Sequence, residues 1–220
     1  MSLFSVFDPT SYFEISFNWI ILMLIYLHVP IKYYFVKGNL IVMFKSFLRI
    51  LNKIFKEVSF PNNLVLLFLS MMSFMYLLIS NLLSLFPFVF TGTAHLVIVM
   101  GLSIILWLSF FFMGFIYNLK MSVAHLVPEG SPLILSPIMV MIESISHLIR
   151  PFTLSIRLVA NMMAGHLIIG LLSNISLISS FGFLSSFIFQ NILLLLEFGV
   201  SIIQAFVFSI LLMLYALEYY

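Results

Sequence analysis

Apolar residues dominate the chain, and only a few short polar segments divide them into long runs. A bilayer core of about 30 Å needs about 20 residues of helix, and five runs reach that length. The pattern predicts an all-α membrane protein, a single membrane domain over 1–220. Its spans lie at about 15–31, 63–87, 93–118, 133–173 and 180–219. The last two runs are about twice the length that one crossing needs, so we expect a hairpin of long, steeply tilted helices.

The segment between the first two runs has a different pattern. Its apolar residues recur at three- and four-residue steps, and basic residues occupy the positions between them. The apolar set is Leu40, Phe44, Phe47, Leu48, Leu51 and Ile54, and the basic set is Lys32, Lys37, Lys45, Arg49, Lys53 and Lys56. This pattern predicts a basic amphipathic helix at about 38–57 that lies at the membrane interface. A solvated loop is the alternative.

Composition supports a membrane protein. The chain is 64% hydrophobic and 7% charged, whereas soluble domains carry about 25% charged residues. A net charge of +2 gives no indication of nucleic-acid binding. The chain has no cysteine, which excludes disulfides, thiolate metal sites and thiol nucleophiles.

The distribution of charge predicts an orientation. If the spans alternate, segments 32–57 and 119–132 face the same compartment, and they hold seven of the nine basic residues. The opposite side has the N-terminus with Asp8 and Glu14. By the positive-inside rule, the basic side is the cytoplasm, or the matrix in a mitochondrion.

Polar residues line one side of each of the last two runs. Glu143, Arg150 and Arg157 are seven residues apart, with His147 and Asn161 each four residues after a member of this series. The last run repeats the spacing with Gln190, Glu197 and Gln204. Seven residues are close to two helical turns, so each series predicts a polar stripe on an apolar helix.

A hairpin about a turn near residue 177 brings the two stripes together. Arg157 and Glu197 are then equally far from the turn, and we expect the stripes to face a common polar seam with Arg157 near mid-membrane. His166 and Glu197 lie toward the side with uncharged loops, while Glu143 and Glu218 lie toward the basic side.

The stripes have two interpretations. Arg157 and Glu197 form a pair that only joins two helices, or they belong to an ion path. Charges at the bilayer centre cost from about 3 to more than 10 kcal/mol and usually mark such paths. A structural pair also leaves Glu143 and His166 without a role. Carboxylates and imidazoles suit proton transfer, whereas an arginine stays charged and instead attracts a carboxylate or blocks a leak.

Two other classes of membrane protein fit less well. A transporter or channel that acts alone would need polar clusters on more spans, but residues 58–119 contain no charge. A haem-binding respiratory subunit would need paired histidines at matched depth. The five histidines show no such repeated spacing; they are His28, His95, His125, His147 and His166.

Several sequence motifs match a known family in order along the chain. They are LFSVFDP, NLLSLFPFVFTGTAHL, AHLVPEGSP, IESISHLIRPFTLSIRLVANMMAGH and IIQAFVFSILLMLY, the last preceded by Glu197. Over nearly its whole length the chain resembles subunit a of the F-type ATP synthase in its mitochondrial, arthropod-like form.

The resemblance assigns roles to the polar residues. It places Arg157 on the family's essential arginine, Asn161 on an asparagine one turn later, and Gln204 on the glutamine that faces the arginine. His166 and Glu197 match the half-channel open to the intermembrane space. Glu143, with Glu218, matches the half-channel open to the matrix.

The resemblance also implies a mechanism and partners. Protons pass through two offset half-channels by way of carboxylates on a rotating c-ring, and this rotation drives ATP synthesis elsewhere in the complex. We expect the chain to contact the c-ring, the peripheral stalk and other membrane-sector subunits. It lies in the mitochondrial inner membrane, with its N-terminus in the intermembrane space and its C-terminus in the matrix. The chain has no phosphate-binding glycine loop, so we expect a proton-channel subunit and not an enzyme, without cofactor or metal.

Overall fold

The computed structural model describes residues 7–9, 16–20, 38–58, 64–86, 89–117, 123, 127, 135–176 and 180–218. Five α-helices account for most of them. They are α1 (Asn39–Val58), α2 (Leu64–Ser84), α3 (Leu96–Tyr117), α4 (Ser136–Ser176) and α5 (Ser180–Glu218). Short 3-10 turns lie at Phe17–Trp19 and Gly92–Ala94, and none of the described residues is in a strand.

Four helices, α2 to α5, are long and apolar enough to cross a membrane. They coincide with four of the five predicted spans, within three residues at every end. The all-α fold class is therefore confirmed. The remaining predicted span, 15–31, lies largely outside the described residues. Helix α1 coincides with the predicted amphipathic helix, and its place at the interface stays a prediction.

Helix α5 is the centre of the bundle. It packs along α2 on one side and along α4 on the other, while α3 packs on α4 and α1 on α2. Serines are frequent on the buried faces, where a small side chain lets two helix backbones approach closely. Each hydroxyl donates to a carbonyl three residues earlier in its own helix, so burial leaves no hydroxyl proton unpaired. Examples are Ser70, Ser73, Ser80, Ser201 and Ser209.

Three aromatic rings join α1 to the bundle. The ring of Phe55 on α1 is fully buried. Its centroid lies 6.1 Å from that of Phe74 on α2 and 6.2 Å from that of Phe206 on α5. Such edge-on and tilted contacts are favourable for aromatic pairs, so this trio holds three helices together.

Helix α4 continues through Pro151. Proline has no N–H, so the carbonyl of His147, four residues earlier, loses its helical donor. Beside this point, the hydroxyl of Ser103 on α3 donates to the carbonyl of Pro151 across 3.3 Å. The irregularity expected at Pro151 thus does not end the helix, and α3 packs against it.

The aromatic trio predicts a stability effect. Phe55→Ala should lower the free energy of unfolding by about 3–5 kcal/mol, the usual cost of truncating a buried phenylalanine. Phe47→Ala is the matched control, because the Phe47 ring is 40% exposed on the same helix. Denaturant unfolding of the purified chain in mild detergent would measure both changes. Equal losses in the two variants would contradict the packing described here.

Candidate functional site

The polar stripes of α4 and α5 meet along one seam. In its middle, the side-chain amide of Asn161 donates a hydrogen bond to Oε1 of Gln204 across 3.2 Å. Gln204 is buried on α5. Asn161 is exposed on α4, so the two amides fix each other's orientation at the edge of the contact between the helices.

Glu197 lies against the backbone of Gly165. A methyl group built at Gly165 would lie 2.6 Å from the carboxyl carbon of Glu197, closer than real side chains approach. Only glycine leaves room here for the carboxyl group. Both carboxyl oxygens of Glu197 are buried, and within the described part of the chain neither has a hydrogen-bond partner. Buried polar atoms in this state are uncommon and point to a functional site.

A small cavity connects Glu197 to the amide pair. Its volume is about 10 Å³, at the lower limit for holding one water molecule. It is lined by Asn161, Met162, Glu197, Val200, Ser201 and Gln204. The carboxyl group and the amides thus share one polar pocket in an otherwise apolar contact.

His166 follows Gly165 directly and lies at the same level of the seam as Glu197. Its Nε2 atom is buried and has no hydrogen-bond partner among the described residues. The imidazole ring packs against the ring of Phe7, with centroids 6.4 Å apart. One carboxyl group and one imidazole therefore occupy the end of the seam nearer the turn of the hairpin.

Arg157 lies on the exposed side of α4, just outside the seam. Most of its exposed neighbours on that side are apolar or small, and two are polar; they are Ile149, Thr153, Ala160, Asn161, Ala164 and Ile168. No ion pair joins Arg157 to a carboxylate of the described residues. The Glu197 carboxyl group lies against Gly165 instead, so the described residues do not show the Arg157–Glu197 pair of the alternative interpretation.

The register of the hairpin explains why Glu197 lies away from Arg157. Eleven residues separate Arg150 from Asn161 on α4, and eleven separate their α5 partners, Tyr215 and Gln204. The contact of Gly165 with the Glu197 side chain lies within three residues of this alignment. Helix α4 ends at Ser176 and α5 begins at Ser180, on either side of the assumed turn. Glu197 therefore lies about 12 Å further along α4 than Arg157, since each residue adds 1.5 Å.

A second polar cluster lies at the opposite end of the seam. Oε1 of Glu143 is 3.3 Å from Nε2 of His147 and 3.7 Å from Nη2 of Arg150. The Arg150 guanidinium lies 5.0 Å from the centre of the Tyr215 ring on α5. Glu218 ends α5 near this level, and its side chain lies outside the described set. The predicted residues thus form two groups at different heights, with Arg157 between them.

Neutral polar residues near the Gly92–Ala94 turn were not singled out from the sequence. The turn packs between α2, α3 and α4. Asn81 is fully buried. Its amide makes no hydrogen bond to the described residues, and neither do the hydroxyls of Thr91 and Thr93. Ser84 contacts the sulfur of Met162, which also lines the cavity beside Glu197. The sequence signal for this site is an amide inside an apolar run, which a prediction based on charged residues does not detect.

The described histidines occupy three different surroundings. His95 packs against the rings of Trp19 and Phe90, His147 lies beside Glu143, and His166 packs on Phe7. His28 and His125 lie outside the described residues. Within those residues, no three histidine, aspartate or glutamate side chains gather closely enough to hold a metal ion.

Comparison with known proteins finds similar chains over nearly the full length. A family model described as the ATP synthase A chain matches residues 14–216. The chain is 42% identical to ATP synthase subunit a of Drosophila melanogaster over 221 residues, covering 99% of this chain and 98% of the relative. Identity to ATP synthase subunit a of Anopheles gambiae is 42% over 223 residues, with the same coverage.

The register of the seam is testable because the chain has no cysteine of its own. Paired cysteines at Asn161→Cys and Gln204→Cys should be joined by a short thiol-specific crosslinker. The matched pair Arg157→Cys and Glu197→Cys should not, since its members lie roughly 12 Å apart along the helices. Mass spectrometry of free and crosslinked thiols would measure both. Efficient crosslinking of the second pair alone would refute the register.

Proposed function

Because this chain belongs to the ATP synthase A chain family, we propose that it is the proton-translocating subunit a of a mitochondrial ATP synthase. In this proposal it provides two half-channels and the arginine that couple proton flow to rotation of a c-ring. ATP is made elsewhere in the complex. The chain itself has no phosphate-binding glycine loop and acts as a proton-channel subunit, not as an enzyme.

The observation that carries this proposal is the arrangement of three ionisable sites along α4. Glu197 and His166 lie at one end of the seam and Glu143 at the other. Arg157 lies between these levels on the exposed face. Two polar sites with a fixed cation between them are what a divided proton path requires, because a continuous path would leak.

Proton entry is proposed at Glu197 and His166. A proton from the intermembrane space reaches this pair and passes to a carboxylate of the c-ring. The cavity between Glu197 and Gln204 supports a hydrated inlet at this end. The buried polar atoms of Asn81 and Thr91 also support it, since they have no hydrogen-bond partner among the described residues and such atoms generally bind water.

Arg157 is proposed to act on the ring carboxylate when that group returns from the lipid. A guanidinium does not lose its proton in proteins, so it favours ionisation of the carboxylate without carrying the proton. The proton leaves toward Glu143, and Glu218 contributes to this exit. The positive charge also keeps protons from passing directly between the two half-channels.

Asn161 and Gln204 are proposed to position this part of the seam. Their hydrogen bond joins α4 to α5 one turn from Arg157. This hydrogen bond keeps Gln204 close to Arg157. Because glutamine is uncharged, it does not neutralise the guanidinium, and Arg157 remains available to the c-ring.

The exposed face around Arg157 suits a moving partner. Most of its side chains are apolar or small, such as those of Ala160 and Ala164. Small residues let another helix come close, which a ring carboxylate must do to reach the guanidinium. We propose this face as the contact with the c-ring. Other surfaces would contact the peripheral stalk, further membrane-sector subunits and lipid.

The proposal extends to the whole membrane domain, 1–220. We propose a fifth span at 15–31 and an interfacial position for α1, whose basic residues Arg49 and Lys53 are exposed. The protein would be a multi-pass protein of the mitochondrial inner membrane. The positive-inside rule then places its N-terminus in the intermembrane space and its C-terminus in the matrix.

The proposed function predicts that Arg157→Ala abolishes ATP-driven proton pumping, because no fixed charge then ionises the ring carboxylate. The measurement is acidification of membrane vesicles that contain the assembled complex. Arg49→Ala, an exposed arginine on α1, is the control and should pump normally. Coupled pumping at the normal rate in the Arg157 variant would overturn the proposal.

The contact at Gly165 predicts a second effect. Gly165→Ala should displace the Glu197 carboxyl group and reduce proton flux strongly while the complex still assembles. Gly101→Ala is the matched control, since a methyl group there meets no atom within 4 Å. Flux through both variants, normalised to the amount of assembled complex, distinguishes them. Equal proton flux in the Gly165→Ala and Gly101→Ala variants would show that the position of the Glu197 carboxyl group does not affect proton transfer.

A further inference from the structure

An apolar groove lies between α1 and α2, outside the polar seam. Its volume is about 520 Å³, within the range of about 300–1,000 Å³ for sites that bind small molecules. Helix α1 lines it with Phe44, Leu48 and Asn52, which are four residues apart and therefore share one face. Helix α2 lines it from Leu67 to Ile79. The proposed function gives this groove no role.

We propose that the groove binds an acyl chain of an anionic phospholipid, with the phosphate of its headgroup on Lys45 of α1. The inference goes beyond the proposed function, because it involves no residue of the proton path. It requires only that the two helices lie in a bilayer, and α2 is long and apolar enough to cross one.

The size of the groove suits a hydrocarbon chain. From Leu67 to Ile79 it follows α2 over about 18 Å, since each residue adds 1.5 Å. The hydrocarbon depth of one leaflet is about 15 Å, half of about 30 Å. A helix about 10 Å wide and 18 Å long occupies about 1,400 Å³, more than twice the volume of the groove. The groove therefore covers an extended acyl chain but holds only part of a helix.

The lining of the groove is adaptable as well as apolar. Met71, Met72 and Met75 all contribute to it, and the unbranched methionine side chain fills irregular spaces readily. Phe68 and Met72 are 58% and 53% exposed there. An acyl chain has many conformations and no hydrogen-bonding groups, so an adaptable apolar surface is what it requires.

The charge of α1 determines which headgroup fits. Over Asn39–Val58 the helix has four basic residues, Lys45, Arg49, Lys53 and Lys56, and one acidic residue, a net charge of +3. Basic segments at a membrane surface attract anionic lipids. A zwitterionic lipid has no net charge to match, so charge complementarity favours an anionic phospholipid.

Among the basic residues of α1, Lys45 is the nearest to the groove around the helix. At about 100° per residue, Lys45 lies about 60° from Leu48, whereas Lys53 lies about 140° from it. Arg49 and Lys56 lie at intermediate angles. Asn52, the polar residue of α1 that lines the groove, is about 20° from Lys45. The groove therefore has its polar edge on the side of Lys45.

Lys45 is suited to hold a phosphate at this edge. Its side chain is partly covered, whereas that of Lys53 is exposed. An ammonium group has three donors, so Lys45 can bind a phosphate oxygen in addition to the contact that it makes within the chain. A lipid phosphate on Lys45 places the attached acyl chain at the entrance of the groove.

The test uses the assembled complex in bilayer discs of phosphatidylcholine that contain a minor share of a photoreactive lipid. The probe is phosphatidylglycerol with a diazirine in its acyl chain, and phosphatidylcholine with the same chain is the uncharged comparison. After illumination, mass spectrometry of peptides locates the adducts on this chain. We expect adducts on the groove residues of α2, about fivefold more with the anionic probe, as one lysine beside a charged headgroup predicts.

The charge of Lys45 has a matched control on the same helix. Lys45→Gln should lower the groove adducts of the anionic probe about fivefold and leave those of the uncharged probe unchanged. Lys53→Gln removes the same charge from a position that faces away from the groove. It should change the yield by no more than about twofold, because salt screens a charge that does not contact the headgroup. If Lys45→Gln fails to assemble, competition by unlabelled phosphatidylglycerol or phosphatidylcholine on the native complex measures the same selectivity.

The position of the acyl chain has a separate pair of variants. Met72→Trp places a larger ring in the groove and should lower the groove adducts of both probes. Met43→Trp is the matched control, since Met43 is 68% exposed on α1 and lies about 140° from Leu48 around the helix. Yields are normalised to the amount of assembled complex recovered.

Equal groove adducts from the two probes, or equal losses in Lys45→Gln and Lys53→Gln, would overturn the headgroup assignment. Unchanged groove adducts in Met72→Trp would overturn the position of the acyl chain. Adducts elsewhere on the chain with none in the groove would show that another subunit covers it, which would also overturn the proposal. The measurement is the position of adducts and not proton flux, so its outcome is independent of Arg157→Ala and of the proposed function.

Discussion

The close contact between Gly165 and Glu197 sets the geometry on which the rest of the seam depends. A carboxyl group is wider than most helix contacts tolerate, and it fits here because α4 presents bare backbone at that point. The contact belongs to one register of the two long helices. Asn161 then meets Gln204, and Arg150 reaches Tyr215. A polar seam is costly inside lipid, so packing elsewhere must hold it closed, which the buried serine-rich contact between α2 and α5 does.

The same register separates the ionisable groups. Glu197 and His166 share one level of α4, whereas Glu143, His147 and Arg150 share another. Arg157 is between the two levels and faces outward. If it had bonded to Glu197, each charge would have neutralised the other and the arginine would be turned away from any partner. The structure instead leaves the guanidinium on a surface where a second protein can approach it.

Much of this arrangement follows from the sequence, because helix length and seven-residue spacing depend on local properties. The four long helices follow from the length of the apolar runs. The polar stripe of α4 follows from the spacing of Glu143, Arg150 and Arg157. The register is not, because it depends on how the side chains of α4 and α5 pack together, including one glycine that admits a carboxyl group. Asn81 was not predicted from the sequence for a related reason. Its burial is set by packing against a distant turn, and an uncharged amide gives little signal in an apolar run.

The aromatic trio has a consequence for biosynthesis. Phe55 and Phe206 contact each other although 150 residues lie between them in the chain. A chain emerges from the ribosome N-terminus first, so α1 has no partner for this contact until the last helix has entered the membrane. Helix α1 can pack on Phe74 of α2 earlier, but a chain truncated before Phe206 lacks the contact between α1 and α5. The complete aromatic trio therefore forms only after α5 has been made as far as Phe206.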